Sequence, residues 1–195
     1  MKFIATFTGQ HIDYSDVRPE HIVIEDIAVA LSHLCRFAGH VPEFYSVAQH
    51  AVLCSQLTPP EFALEALLHD AAEAYCLDLP SPLKRLLPEY KEIEARLDNA
   101  IRQRFHLPLT PSKVIKQVDL IMLATERRDL NLDPGNDWPM LDGISPTTQL
   151  AVNPLMPRQA RALFFIPLSG ADNRLKMVCR HGSVRSGQCI EYVDI

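Results

Sequence analysis

Apolar residues recur along most of this chain at the three- and four-residue spacing of helices, and alternate like a strand only near the N-terminus. Phe3 to Phe7 reads as a strand, Thr8-Gly9-Gln10 as a turn, and His11-Ile12-Asp13-Tyr14 as the returning partner. Asp26 opens a helix over 27–35, which Gly39 and Pro42 stop. Ser46 is a natural N-cap for a second helix, 47–57. Pro59-Pro60 starts a third, read as continuous to about 75. Ser81-Pro82 begins a short helix to 87, and Pro88 separates it from a charged amphipathic helix over 89–105. Pro111-Ser112 introduces a long helix over 113–130. A polar loop with three prolines and two glycines covers 131–147, and Pro157 starts a last helix over 158–165.

The pattern predicts a mostly α fold, a helical bundle with a small N-terminal β-hairpin. One domain accounts for 1–166. Beyond Pro167 the residues turn small, polar and basic and lose their period, so 167–195 is expected to be a loosely ordered tail.

Composition narrows the class. At 195 residues and 47% hydrophobic, the chain has the length and apolar content of one globular domain. A net charge of -5 lacks the basic field of nucleic-acid binders, so no polymer partner is expected. No apolar run reaches membrane-spanning length or resembles a signal peptide. The five cysteines (Cys35, Cys54, Cys76, Cys179, Cys189) show no paired metal spacing and read as reduced thiols, pointing to the cytoplasm.

The chemistry concentrates at His69-Asp70, inside Leu67-Leu68-His69-Asp70-Ala71-Ala72-Glu73-Ala74-Tyr75. A carboxylate in an apolar run needs a partner, and a divalent cation can hold both residues. Two ligands are too few. His50 lies mid-helix among apolar neighbours; alone it reads more readily as a core histidine satisfied by hydrogen bonds than as a ligand. Asp119 interrupts Val118-Asp119-Leu120-Ile121-Met122; alone it reads equally as an ion pair with Arg127 or Arg128. A mixed His and carboxylate set suits manganese, cobalt, zinc, iron or nickel. Glu126-Arg127-Arg128-Asp129 reads as a structural ion-pair cluster, with Glu126 on the face of Asp119. Trp138 either covers the site or simply packs.

Together His50, His69-Asp70 and Asp119 follow the H…HD…D order of the HD-domain metal-dependent phosphohydrolases, which the chain resembles from about Phe3 to Phe165. Cys35-Arg36-Phe37-Ala38-Gly39-His40, Phe44-Tyr45-Ser46-Val47-Ala48-Gln49-His50 and HDxxExxxxDxPxPxK, from His69 to Lys84, look like the phage and prophage branch. That resemblance implies one divalent transition metal on His50, His69, Asp70 and Asp119. It implies catalytic roles for Glu73 and Asp78 in handling the protons of a metal-activated water and the leaving oxygen. Lys84, at a helix start, would hold substrate phosphate, and Arg36, Phe37 and His40 would contact phosphate or sugar.

The function so implied is removal of phosphate from (deoxy)nucleoside 5'-monophosphates. A deoxynucleoside triphosphate triphosphohydrolase is the close alternative, and hydrolysis of a signalling nucleotide such as guanosine tetraphosphate is a third. A metal-bound nucleotide-binding module without turnover is the alternative from another class. The expected partners are a nucleotide substrate and further copies of the chain, with no membrane.

Overall fold

A computed structural model describes residues 2–165; the expected tail, 167–195, lies outside the described residues. β1 (Phe3–Ala5) and β2 (His11–Asp13) form an antiparallel pair with Ile4 opposite Ile12, as the alternation predicted. Gly9 takes φ 85° in the connecting turn, a conformation that suits a residue without Cβ. The hairpin is fastened by Asp26, which is buried in α1 (Ile24–His33). Its carboxylate accepts from the Thr6 and Thr8 hydroxyls at 2.8 Å each and from the Thr8 N–H at 2.7 Å.

α2 (Val47–Leu57) is the centre of the molecule. Ser46 caps it, its hydroxyl accepting from the Gln49 N–H at 3.1 Å. Both faces of α2 are buried, because it touches α1, α3 (Ala63–Leu67), α7 (Lys113–Asp129) and α8 (Pro157–Phe164). One apolar cluster joins Ile27 and Leu31 of α1, Val52 of α2, Leu97 and Ile101 of α6 (Pro88–Arg104) and Phe164 of α8. A second joins Tyr45, Cys54, Ala66, Val118 and Met122, and so packs α7 against α2. Two short helices, α4 (Glu73–Cys76) and α5 (Ser81–Lys84), complete eight helices among the described residues. No helix there is long and apolar enough to cross a membrane.

A polar network fixes the start of α7. Glu65, buried in α3, accepts from the Ser112 hydroxyl at 2.7 Å, the Ser112 N–H at 2.9 Å and Arg102 at 3.2 Å. Arg102 is held in turn by Asp98 at 2.8 Å and by the Pro108 carbonyl at 2.7 Å. The network ties α3, α6 and α7 together.

The third helix differs from its sequence reading. It is not continuous to 75: α3 ends at Leu67, residues 68–72 form turns, and α4 begins at Glu73. Bonds across this break run back three residues, from the Ala71 N–H to Leu68 O and from the Glu73 N–H to Asp70 O. The cause is local. The Ala66 carbonyl, which a continuous helix offers to the Asp70 N–H, faces His69 Nδ1 at 2.7 Å instead.

Candidate metal centre

His50 is fully buried midway along α2. Its Nδ1 lies 2.5 Å from Glu126 Oε1. A carboxylate only accepts, so the ring donates from Nδ1 and Nε2 is the free coordinating atom. Nε2 faces His69 Nε2 at 3.3 Å, Asp119 Oδ1 at 3.5 Å and Asp70 Oδ2 at 3.6 Å. His69 repeats the arrangement. Its Nδ1 donates to the Ala66 carbonyl, and its Nε2 faces Asp70 Oδ2 at 3.2 Å and Asp119 Oδ1 at 4.0 Å.

Four acceptor atoms from three segments thus meet in one place, the histidines enclosed and the two aspartates half-buried, and a positive species must sit among them. Without a cation, protons do so. Burial pushes the His69 imidazole down, but Asp70 outweighs it and raises the ring to about 10. Burial and Arg36 push His50 down, yet Cys54, Glu126 and Asp119 hold it well above the ordinary histidine value. Burial raises Asp70 and Asp119, but the histidines win and hold both far below the usual carboxylate range. The field that keeps these protons is one that attracts a divalent cation.

His50, Cys54 and His69 also form a buried cluster that could bind a metal. Cys54 Sγ is 3.5 Å from His50 Nε2 and 4.0 Å from Nδ1. Near both nitrogens, the thiol sits beside the His50 ring, off the Nε2 lone-pair axis.

The remaining sequence candidates surround this centre unequally. The Arg36 N–H donates to the Tyr45 carbonyl at 2.8 Å and the Val47 N–H to the Leu34 carbonyl at 3.0 Å, closing a loop at its base. Arg36 is buried there, with Nη2 3.1 Å from Glu126 Oε2 and Nη1 3.6 Å from Asp70 Oδ2. Its Nε has no hydrogen-bond partner among the described residues. Phe37 and Ala38 follow at φ 56° and 52°, left-handed values costly for side chains with a Cβ and frequent at functional sites. The Phe37 ring lies 5.2 Å from the Arg36 guanidinium and 6.4 Å from the Trp138 ring, so Trp138 packs beside the loop. His40 is exposed at the end of the same turn.

Glu73 is buried, and its Oε2 has no hydrogen-bond partner among the described residues. Burial, Asp70 and Asp78 push its carboxyl well above the ordinary range. Asp78 is raised as well, mainly by burial, with Arg36 opposing. Between them Leu77 takes φ 74°, ψ 156°, a region almost reserved for glycine. Its carbonyl accepts the Tyr90 hydroxyl at 2.7 Å, an anchor that holds the turn leading to Asp78. Lys84 is not a free cation: Nζ is 2.6 Å from Glu94 Oε1 and 3.7 Å from Glu73 Oε1. A cavity of about 310 Å³ opens here, lined among others by His69, Asp70, Glu73, Lys84, Lys91 and Glu94.

Asp119 pairs with Lys116 at 2.9 Å through Oδ2, not with Arg127 or Arg128, and turns Oδ1 to the histidines. Glu126 is the residue that sequence reasoning undervalued. Arg128 does pair with Asp129, at 2.6 Å, but Glu126 leaves that cluster. It is fully buried and accepts from His50, from the Tyr45 hydroxyl at 2.8 Å and from Arg36. Its seven-residue spacing from Asp119, two helical turns on one face, was the available signal.

No protein-family model matches the chain. It is 59% identical over 164 residues, covering 84% of this chain and 92% of the relative, to the uncharacterized protein YfdR of Escherichia coli (strain K12). An uncharacterized protein of Rhodobacter capsulatus is 35% identical over 137 residues, 63% of this chain and 70% of that protein. The chain belongs to the YfdR family.

Proposed function

We propose that the chain is an HD-domain phosphohydrolase that removes phosphate from (deoxy)nucleoside 5'-monophosphates with one divalent transition metal on His50, His69, Asp70 and Asp119. The observation that carries the reading is the convergence of Asp70 Oδ2 and Asp119 Oδ1 on the two histidine Nε2 atoms, each 3.2–4.0 Å from both and the nitrogens 3.3 Å apart, with both histidines bonded through Nδ1 so that Nε2 faces inward. Metal–ligand bonds of about 2.0–2.2 Å put neighbouring ligands roughly 3.0–3.5 Å apart, so the donor set suits such an ion with small adjustments. The bound metal would supply an acidified water and charge neutralisation at phosphorus.

The chain's own groups do the rest. Glu73 and Asp78 lie in one electrostatic neighbourhood with Asp70 and Arg36; burial and Asp70 outweigh Arg36, raising both carboxyls above the ordinary range and so making them better proton carriers. Glu73 Oε2 is a buried acceptor with no hydrogen-bond partner among the described residues, a lone pair that a water or a leaving oxygen admitted to the site would satisfy. Lys84, held between Glu73 and Glu94, keeps a positive charge on the cavity wall for the phosphate, and its ammonium is raised above the ordinary lysine value despite burial. Arg36, with Nη1 3.6 Å from Asp70 Oδ2, is the second phosphate or sugar contact, with Phe37 against the sugar.

The cavity lining favours a monophosphate over a triphosphate. Asp70, Glu73, Glu94 and Asp98 face it, against Lys84, Lys91 and Arg102, of which Lys84 and Arg102 already carry acidic partners. That leaves little positive charge for a polyphosphate tail. The test is incubation of the metal-loaded chain with mono-, di- and triphosphates of nucleosides and deoxynucleosides, with detection of phosphate, pyrophosphate and triphosphate. Phosphate from monophosphates is the expected product. Triphosphate release would favour the triphosphohydrolase reading, and metal binding with no product would favour a nucleotide-binding module.

A further inference from the structure

Resting on the metal-site reading, we infer that Glu126 is the positioning residue of the centre, holding the His50 ring with Nε2 toward the cation and pinning Arg36 against Asp70. Glu126 is fully buried, and both its oxygens are used. Oε1 takes the His50 ring at 2.5 Å and the Tyr45 hydroxyl at 2.8 Å; Oε2 takes Arg36 Nη2 at 3.1 Å. A carboxylate that accepts the second ring N–H of a metal-binding histidine fixes the tautomer and strengthens the other nitrogen as a ligand. Glu126 is thus the contact through which α7 steers a ligand on α2, while Asp119, two turns earlier on α7, faces the same histidines directly.

The Arg36 contact gives Glu126 a second task. Arg36 is buried between two carboxylates, Glu126 and Asp70, and Asp70 is itself one of the converging donors. Were Glu126 neutral, Arg36 would depend on Asp70 alone and draw that carboxylate away from the ion. A glutamine at 126 presents one oxygen only. With that oxygen on His50 Nδ1, its NH₂ meets the Arg36 guanidinium donor to donor. With the amide reversed, it is His50 that loses its acceptor.

The experiment measures zinc affinity of the whole chain, without substrate, by competition with a chromophoric chelator. Wild type, Glu126→Gln and Glu65→Gln are compared. Glu65 is a matched control: a buried carboxylate bonded to Arg102 and Ser112, with no hydrogen bond to either histidine among the described residues. Glu126→Gln is expected to weaken zinc binding about 10–100-fold, the usual cost of losing such a partner, and Glu65→Gln to leave it at the wild-type value. Equal affinity in wild type and Glu126→Gln overturns the inference, as does an equal loss in Glu65→Gln, which would mark general destabilisation. Should wild type bind no zinc, the metal reading falls first and this inference with it. Should Glu126→Gln not fold, nitrogen-15 ring shifts of zinc-loaded wild type decide. A hydrogen-bonded proton on His50 Nδ1 with zinc on Nε2 supports the role, and zinc on Nδ1 overturns it.

Discussion

Replacing His69 by Ala tests the centre at its most exposed assumption, that the inward-facing atoms bind an ion. In the wild-type fold His69 Nε2 lies 3.2–4.0 Å from three other donor atoms. An ion supplied at a hundred times its dissociation constant stabilises the folded chain by about 2.7 kcal/mol. For a domain of this length about 1 kcal/mol moves the melting temperature by roughly 2–4 °C, so metal should raise Tm by about 5–11 °C. Removing a direct ligand should weaken binding by at least the roughly 100-fold upper figure for outer partners. At the same metal concentration the ion then half-saturates the variant, the stabilisation falls to about 0.4 kcal/mol, and the shift shrinks to about 1–2 °C. Scanning calorimetry of both proteins, with and without manganese, cobalt or zinc, measures the difference directly. Comparing metal-induced shifts, not Tm values, cancels whatever the substitution does to the fold itself. A variant that keeps the full wild-type shift would refute the assignment of His69, and with it the reading of the convergent atoms as a metal site.

Glu73→Gln should retain the metal-induced shift but lose roughly 100-fold or more of turnover, the usual contribution of a positioned proton carrier; a fully active variant would remove Glu73 from catalysis. Tyr90→Phe frees the Leu77 carbonyl and should lower kcat while leaving metal affinity unchanged, because the turn leading to Asp78 loses its anchor; unchanged kcat would show that the strained Leu77 backbone holds itself. Glu65 makes stability pH-dependent: burial raises its carboxyl, but Ser112 and Arg102 outweigh burial and hold it below the ordinary value. A lowered folded-state pKa contributes stability above the unfolded value of about 4.3, lost as pH falls through the folded value. Glu65→Gln should therefore flatten the acid limb of a stability profile, and an unaltered limb would contradict the assignment.

Elements were legible where local chemistry decides them. The hairpin follows from alternation around a turn glycine, and α2 from the Ser46 cap before an apolar run. The centre was legible as a set of costly residue types, since His69-Asp70, His50 and Asp119 are hard to bury without partners. Local pattern misjudged the helix that carries His69. Helix-forming residues fill 61–75, but one local competitor, the His69 ring on the Ala66 carbonyl, ends the helix at Leu67. It misjudged Glu126 for a different reason. Beside Arg127 and Arg128 a glutamate looks paired in sequence, yet its nearest cations in space are His50 and Arg36, 76 and 90 positions away.

The sequence by itself determined the class of the fold, the hairpin, the Ser46 cap and the identity of the polar residues that needed explaining, because each depends on spacing within a few residues; the starts read at Asp26 and Ser81 lie inside α1 and α5 instead. Tertiary structure alone decided which polar atoms meet. It turned both histidines inward by giving each Nδ1 an acceptor, set Glu126 against His50 and Arg36, gave Lys84 to Glu94 and left Glu73 Oε2 without a partner. Those outcomes depend on how α2, α7 and the turn after α3 pack. Electrostatic partnership is a matter of distance in space, which residue spacing along the chain does not encode.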